Sequence, residues 1–107
     1  GHFYTPTRTR DYEQHARMLM KSQYIFNPLD KPVEVWVAFI FAKPVRSKFG
    51  AFPAGKPDLD NLEKSLFDAA NKVLWTDDCR IVKKHSQKVW AQDGQAPGVL
   101  LEFREIH

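Results

Sequence analysis

Cysteine is almost absent from this 107-residue chain: Cys79 stands alone. One thiol cannot build an internal disulfide framework or a cysteine-based zinc site. Nor does any apolar run approach the ~20 residues that a membrane-crossing helix needs. No charged-then-apolar leader is visible at the start, so the expected location is a reduced, cytoplasmic compartment with no membrane partner. Repeats and low-complexity stretches are also missing. What remains is 43% hydrophobic and 27% charged, the balance of a folded domain and not of a disordered chain. A single domain over residues 1–107 is expected, with a core thin enough that a partner subunit would help to bury it. The net charge is only +3, which permits a nucleic-acid partner without requiring one.

Hydrophobic spacing predicts an alternation of strands and helices. Phe3-Tyr4-Thr5-Pro6 is short and β-prone. A helix is expected from about Thr9 to Ser22, with Thr9 as its cap and Asp11 and Glu13 near its positive end. Its apolar stripe runs through Tyr12, His15 or Ala16, and Leu19, widened by Met18 and Met20. Pro32 to Ala42 is the clearest strand; it is apolar on both faces after Glu34, which suggests a central strand covered on both sides and not an exposed edge. A second helix is expected from Asp60 to about Leu74, on the stripe Leu59, Leu62, Leu66, Ala69 or Ala70, and Val73. Arg80 to Gln92 and Val99 to Ile106 read as strands joined by a turn, an antiparallel hairpin in the expected fold. The order β-α-β-α-β-β makes an α/β (α+β) domain, a mixed sheet packed with two main helices.

Charge is segregated along this frame. Lys43 to Lys56 contains Lys43, Arg46, Lys48 and Lys56 and no acid, with Pro44, Pro53, Gly50 and Gly55 between them. A loop that long without structure of its own is usually functional or disordered. Directly after it, Asp58 and Asp60 open the second helix, and Asp77 and Asp78 follow that helix. Asp60 and Glu63 have capping-box spacing, which would explain Asp60 structurally. Asp58 and the Asp77-Asp78 pair have no such local explanation beyond a solvated turn. Oxygen-only ligands suit a hard cation such as Mg²⁺ or Mn²⁺. Lys64 stands four residues after Asp60, on the same helical face, as a salt-bridge partner or as a cation that offsets charge on a reacting phosphate. The two acid pairs bracket one helix about 21 Å long. They can meet only if a strand, a loop or a second chain closes the gap.

The run Lys56-Pro57-Asp58-Leu59-Asp60-Asn61-Leu62-Glu63-Lys64, then Asp68-Ala69, Asp77-Asp78 and Ile81-Val82, resembles the RusA family of Holliday junction resolvases. Phe3-Tyr4-Thr5-Pro6, with Thr9 and Tyr12, is similar to that family's F-Y-T-P segment. The likeness extends from Phe3 to about Trp90, and its central motif is specific. It implies a bacterial, often phage- or prophage-encoded, homodimeric endodeoxyribonuclease that binds four-way DNA and nicks two strands symmetrically with Mg²⁺ or Mn²⁺. Carried over by motif position, the implied catalytic residues are Asp58, Asp60, Asp78 and Lys64. The implied metal ligands are the three aspartates, with Asp77 as the alternative to Asp78. The family's basic strand ahead of F-Y-T-P does not fall within these 107 residues: either it lies outside them or this member is shortened, and its absence would expose a sheet edge and weaken DNA binding.

Candidate DNA contacts are Lys43, Arg46, Lys48 and Lys56 in the loop, Arg8 and Arg10 near the start, and Lys84 and Lys88 on the third strand. Spacing puts Lys84 and Lys88 on one side of that strand and Lys83 on the other. Trp36, Trp75 and Trp90 are expected to anchor the core or an interface. Phe49 and Phe52 are equally candidates for a wedge at a junction centre and for loop anchors. His15 and His85 have no evident partner, and Cys79 is expected to be buried. A non-catalytic DNA-binding module of the same fold, or a Mg²⁺- or Ca²⁺-binding regulatory protein, are the alternatives to a nuclease.

Overall fold

A computed structural model describes residues 2–3, 9–46 and 49–107, with side chains from Glu13 onward. The elements are β1 (His2–Phe3), α1 (Thr9–Gln23), β2 (Val33–Phe41), α2 (Leu59–Ala70), a short 3-10 helix (Asp78–Arg80), β3 (Ile81–Trp90) and β4 (Gly98–Glu105). The expected α+β order is therefore present. Of the expected start, Tyr4 to Pro6 and Arg8 lie outside the described residues.

The sheet has the order β1-β4-β2-β3. β2 pairs in parallel with β3 and antiparallel with β4, so it is a central strand as expected, but the expected cover on both faces is not found: among the described residues only one face is packed by helices, and Trp36 and Ala38 on the other are half-exposed. The pairing also corrects the expected hairpin: β3 and β4 never pair, because β2 lies between them. The loop over residues 91–97 passes the end of β2, where the Ala91 amide donates to the Phe41 carbonyl at 2.7 Å. Seven residues easily cross the two inter-strand spacings, roughly 10 Å, that this requires. A skipped strand and a hairpin present the same sequence pattern, so only the pairing distinguishes them. The two residues of β1 cap the far edge by pairing with Val99 and Leu100.

One face of the sheet receives both helices. Val33, Val35, Val37 and Phe39 of β2 alternate inward with period two and meet Ala16 and Met20 of α1 and Leu66, Phe67, Ala69 and Ala70 of α2. Ala16, not His15, is thus the buried member of the α1 stripe, and Met18 is exposed. The other face carries Glu34, with His85 Nε2 2.8 Å from Oε2 and the Arg104 guanidinium donating to Oε1 at 2.8 and 3.0 Å. Trp36 lies between these two side chains, stacked on His85 and 5.7 Å from Arg104. Hydrogen bonding to His85, then to Arg104, holds the Glu34 carboxyl below its ordinary value. His85 thus has a partner that the sequence did not reveal.

α2 stops at Ala70, short of the expected Leu74. The physical cause is Trp75. Its ring is fully buried between Phe67 and Phe103, and its Nε1 donates to Asn71 Oδ1 at 2.9 Å. To turn that ring into the core the chain must leave the helix. Lys72 adopts a positive φ of 68° and donates its amide to the Trp75 carbonyl at 2.7 Å. From α1, Arg17 donates to the carbonyls of Asp68 and Ala69 at 2.7 and 3.2 Å, satisfying the exposed end of α2. Among the described residues no helix is long and apolar enough to cross a membrane.

Candidate metal and DNA site

The start of α2 differs from its expected form, and the difference bears on function. Asp58, not Asp60, is the N-cap residue, in extended backbone geometry and without a side-chain cap bond. Asp60 sits in the first turn, exposed. Glu63, which should have closed a capping box, is instead buried, and Lys84 Nζ of β3 donates to its Oε1 at 2.8 Å. The local structural explanation for Asp60 is therefore gone. The alternative role for Lys64, an ion pair with Asp60, is not formed either: among the described residues neither side chain makes a salt bridge within 4.0 Å. Two groups of opposite charge, one turn apart, face solvent without using each other.

Asp58 is held differently. Lys56 Nζ lies 3.0 and 3.1 Å from its two carboxylate oxygens. The backbone just before is tied to β3, since Lys88 Nζ donates to the carbonyls of Gly55 and Pro57 at 2.7 and 2.9 Å. Lys84 and Lys88 do share one side of β3, as their spacing implied, but both ammonium groups are engaged in positioning α2 and the loop before it.

Asp77 and Asp78 are placed by another set of ties. Leu29 and the Leu74–Thr76 segment exchange backbone bonds at 2.9 Å. Asp30 accepts from Thr76 Oγ1 at 2.8 Å and from Arg80 Nε at 2.9 Å, and those bonds hold its carboxyl below the usual range. The Cys79 thiol and amide beside Asp77 lower that carboxyl in the same way. Cys79 is exposed, against expectation, because it lies on the outer side of the 3-10 turn.

The two acid pairs do not meet within one chain. β3 runs against the direction of α2: Lys88 reaches residues 55 and 57, Lys84 reaches Glu63, and Asp77-Asp78 precede Ile81 at the strand's other end. At about 3.3 Å per strand residue, the seven steps from Lys88 to Ile81 span about 23 Å. Among the described residues no three His, Cys, Asp or Glu side chains converge as a metal would need. Asp58 and Asp60 nonetheless suit a hard cation by donor type and exposure, and Mg²⁺ commonly uses only one or two protein carboxylates.

Among the predicted DNA contacts, Lys43, Arg46 and Lys56 are exposed around the loop, Lys48 lies outside the described residues, and the side chain of Arg10 is not described. Phe49 and Phe52 are exposed, with Phe49 against Gly55. Trp36 and Trp90 are half-buried; only Trp75 is a core anchor. Sequence reasoning missed Glu63, Arg17 and Trp90 as supports of the site region. Glu63 carried a signal, since it falls on the buried side of the α2 stripe opposite a strand rich in lysine.

Taken together, a parallel β2–α2–β3 crossover presents two exposed carboxylates at the start of its helix and a lysine one turn on, beside a basic loop. The fold is a small α+β domain. The sequence matches the family model Endodeoxyribonuclease RusA over residues 1–102, and the chain belongs to that family. It is also similar to the crossover junction endodeoxyribonuclease rusA of Lactococcus phage r1t, with 28% identity over 88 residues, 81% of this chain and 67% of the relative.

Proposed function

We propose that this chain is a metal-dependent endodeoxyribonuclease that resolves four-way DNA junctions by paired symmetric nicking, as a homodimer, and that it is phage- or prophage-encoded. The observation that carries this reading is the first turn of α2. Asp60 there and Lys64 one turn on stand exposed and, among the described residues, without an ion pair, next to Asp58, although a cap and a salt bridge were both open to them. Helix stability does not account for that arrangement; a phosphate-processing site does.

Asp58 and Asp60 would hold Mg²⁺ or Mn²⁺. Bound there, the cation supplies an activated water and charge neutralisation at the scissile phosphate. Lys64 offsets charge developing on the phosphate oxygens. Lys43, Arg46 and Lys56 grip the DNA backbone, while Lys84 and Lys88 keep the acids in place from behind. Asp78, with Asp77 beside it, is the remaining acid of the set. Because it lies at the far end of α2, a second copy of the chain is what brings it to Asp58 and Asp60. A C₂ dimer then carries two such sites, which matches two symmetric nicks.

The test is a synthetic four-way junction and a linear duplex of the same sequence, each incubated with and without Mg²⁺. Paired nicks in the junction alone, dependent on Mg²⁺ and lost in Asp60→Asn with junction binding retained, are expected. Wild-type cutting by Asp60→Asn would overturn the assignment. Binding without cleavage would favour the non-catalytic module, and neither binding nor cleavage a cation-binding regulator.

A further inference from the structure

A cleft of about 190 Å³ opens between the basic loop and the ends of β2 and β3. Its walls are the rings of Phe41, Phe49 and Trp90, and its cations are Arg46, Lys56 and Lys88. The function described above uses Arg46 and Lys56 as a grip on the DNA backbone and Lys88 as a support for the acids, and leaves the rings without a role. From this cleft we infer a binding site for a single unstacked DNA base, next to the scissile phosphate that a cation on Asp58 and Asp60 would hold. The inference rests on the reading that DNA is the substrate, and it names the part of DNA that this surface takes.

Three features support it. The cleft is built, and is not a gap left by a loose loop. Trp90 Nε1 donates to the Gly50 carbonyl at 3.1 Å, which fixes the indole and folds the loop back over the strand ends. Phe49 rests against Gly55, where a Cβ would stand 3.5 Å from its ring. Lys88 fixes the adjoining backbone through Gly55 and Pro57.

The size suits one base. An apolar cavity of about 150 Å³ takes one benzene ring, so about 190 Å³ admits a flat nucleobase but not a base pair. Its chemistry suits a base attached to a phosphate chain: rings on which any base can stack, and cations at the mouth. Arg46 lines the cleft and makes no hydrogen bond or salt bridge among the described residues, which leaves its guanidinium free for a backbone phosphate.

The position suits the proposed reaction. Lys56 lines the cleft and also reaches both oxygens of Asp58. A strand whose phosphate sits at the acids therefore has its neighbouring base at the mouth of the cleft. A base within an intact duplex is stacked and paired and cannot enter. A base at a strand exchange point, where stacking is interrupted, is withdrawn at lower cost. The cleft thereby supplies a physical reason for preferring branched over linear DNA.

The test uses the full chain in EDTA, so that cleavage does not intervene. Fluorescein-labelled tetrathymidylate and a tetramer of abasic sugar-phosphate are titrated and followed by anisotropy. The expected result is about tenfold tighter binding of tetrathymidylate, about 1.4 kcal/mol of base stacking. Phe49→Ala, at an exposed position, should reduce the ratio to less than about twofold. Trp90→Phe should abolish the quenching of tryptophan emission by tetrathymidylate, whereas Trp36→Phe, on the opposite face of the sheet, should keep it. Equal binding of the two tetramers, or a ratio unchanged in Phe49→Ala, overturns the base site. Junction cutting is assayed separately. A chain that cuts junctions but ignores the base loses this proposal alone, and one that discriminates the base without cutting loses the resolvase reading alone.

Discussion

Replacing Lys84 by methionine isolates the interaction that positions α2 against β3. Lys84 Nζ lies 2.8 Å from Glu63 Oε1; the Glu63 side chain is 7% exposed and that of Lys84 51%. Lys84→Met keeps most of the aliphatic stem and removes the charge. It strands a carboxylate that water barely reaches. Removing one partner of a fully buried pair costs about 3–5 kcal/mol, whereas an exposed pair is worth about 0–1. This pair is half open on the lysine side, so a loss of about 2 kcal/mol is expected. For a domain of this size that lowers Tm by about 10 °C. Glu63→Leu should cost under about 1 kcal/mol, because Lys84 then turns to solvent and no buried charge is left behind. The double variant should resemble Glu63→Leu alone, giving a coupling of about 2 kcal/mol in a double-mutant cycle measured by urea unfolding. Additive single effects, or a Lys84→Met cost below about 0.5 kcal/mol, would refute the claim that a buried charge pair joins helix to strand.

Acid should unfold the chain through its held carboxylates. Glu34 and Asp30 both titrate below their ordinary values, so the stability they contribute is complete above the unfolded value, 4.5 for Glu34, and is lost as pH falls through the folded one. Circular dichroism on acidification should show a shallower loss in Glu34→Gln than in the wild type below pH 4.5, and superimposable curves would count against the His85–Glu34–Arg104 cluster. Leu66→Ala, at a position with no exposed surface, should cost about 3 kcal/mol in urea, because the well-packed contact of α2 with the sheet leaves a cavity. Arg17→Met should cost about 1 kcal/mol by freeing the last carbonyls of α2, with faster amide exchange in the turn after Ala70 as the local sign.

Much of this fold was legible because it depends on period. Val33, Val35, Val37 and Phe39 alternate, and Leu59, Leu62 and Leu66 recur at three and four, so each element announced its type and its buried side. Residues on both faces of β2 were apolar, and that was enough to place it between two other strands. The motif around Asp58, Asp60 and Lys64 was legible for another reason: its residues are neighbours along the chain, and helical geometry sets their relation.

What could not be read depends on contacts between residues far apart in sequence. The pairing of β3 with β2, in place of a hairpin with β4, turns on which edge of β2 each strand reaches, and the loop length permits both. The end of α2 follows the burial of Trp75, which is a property of the core and not of the helix. Glu63 left its capping role because Lys84, twenty-one residues on, offered a stronger partner in a drier place. The sequence by itself determined the elements, most of their buried faces and which charged side chains stand together at the start of α2, since those are local. Tertiary structure alone decided the strand order, left Asp60 and Lys64 without an ion pair among the described residues, and set Asp77-Asp78 at the opposite end of the helix. Those outcomes follow from competition among distant groups for the same space and charge.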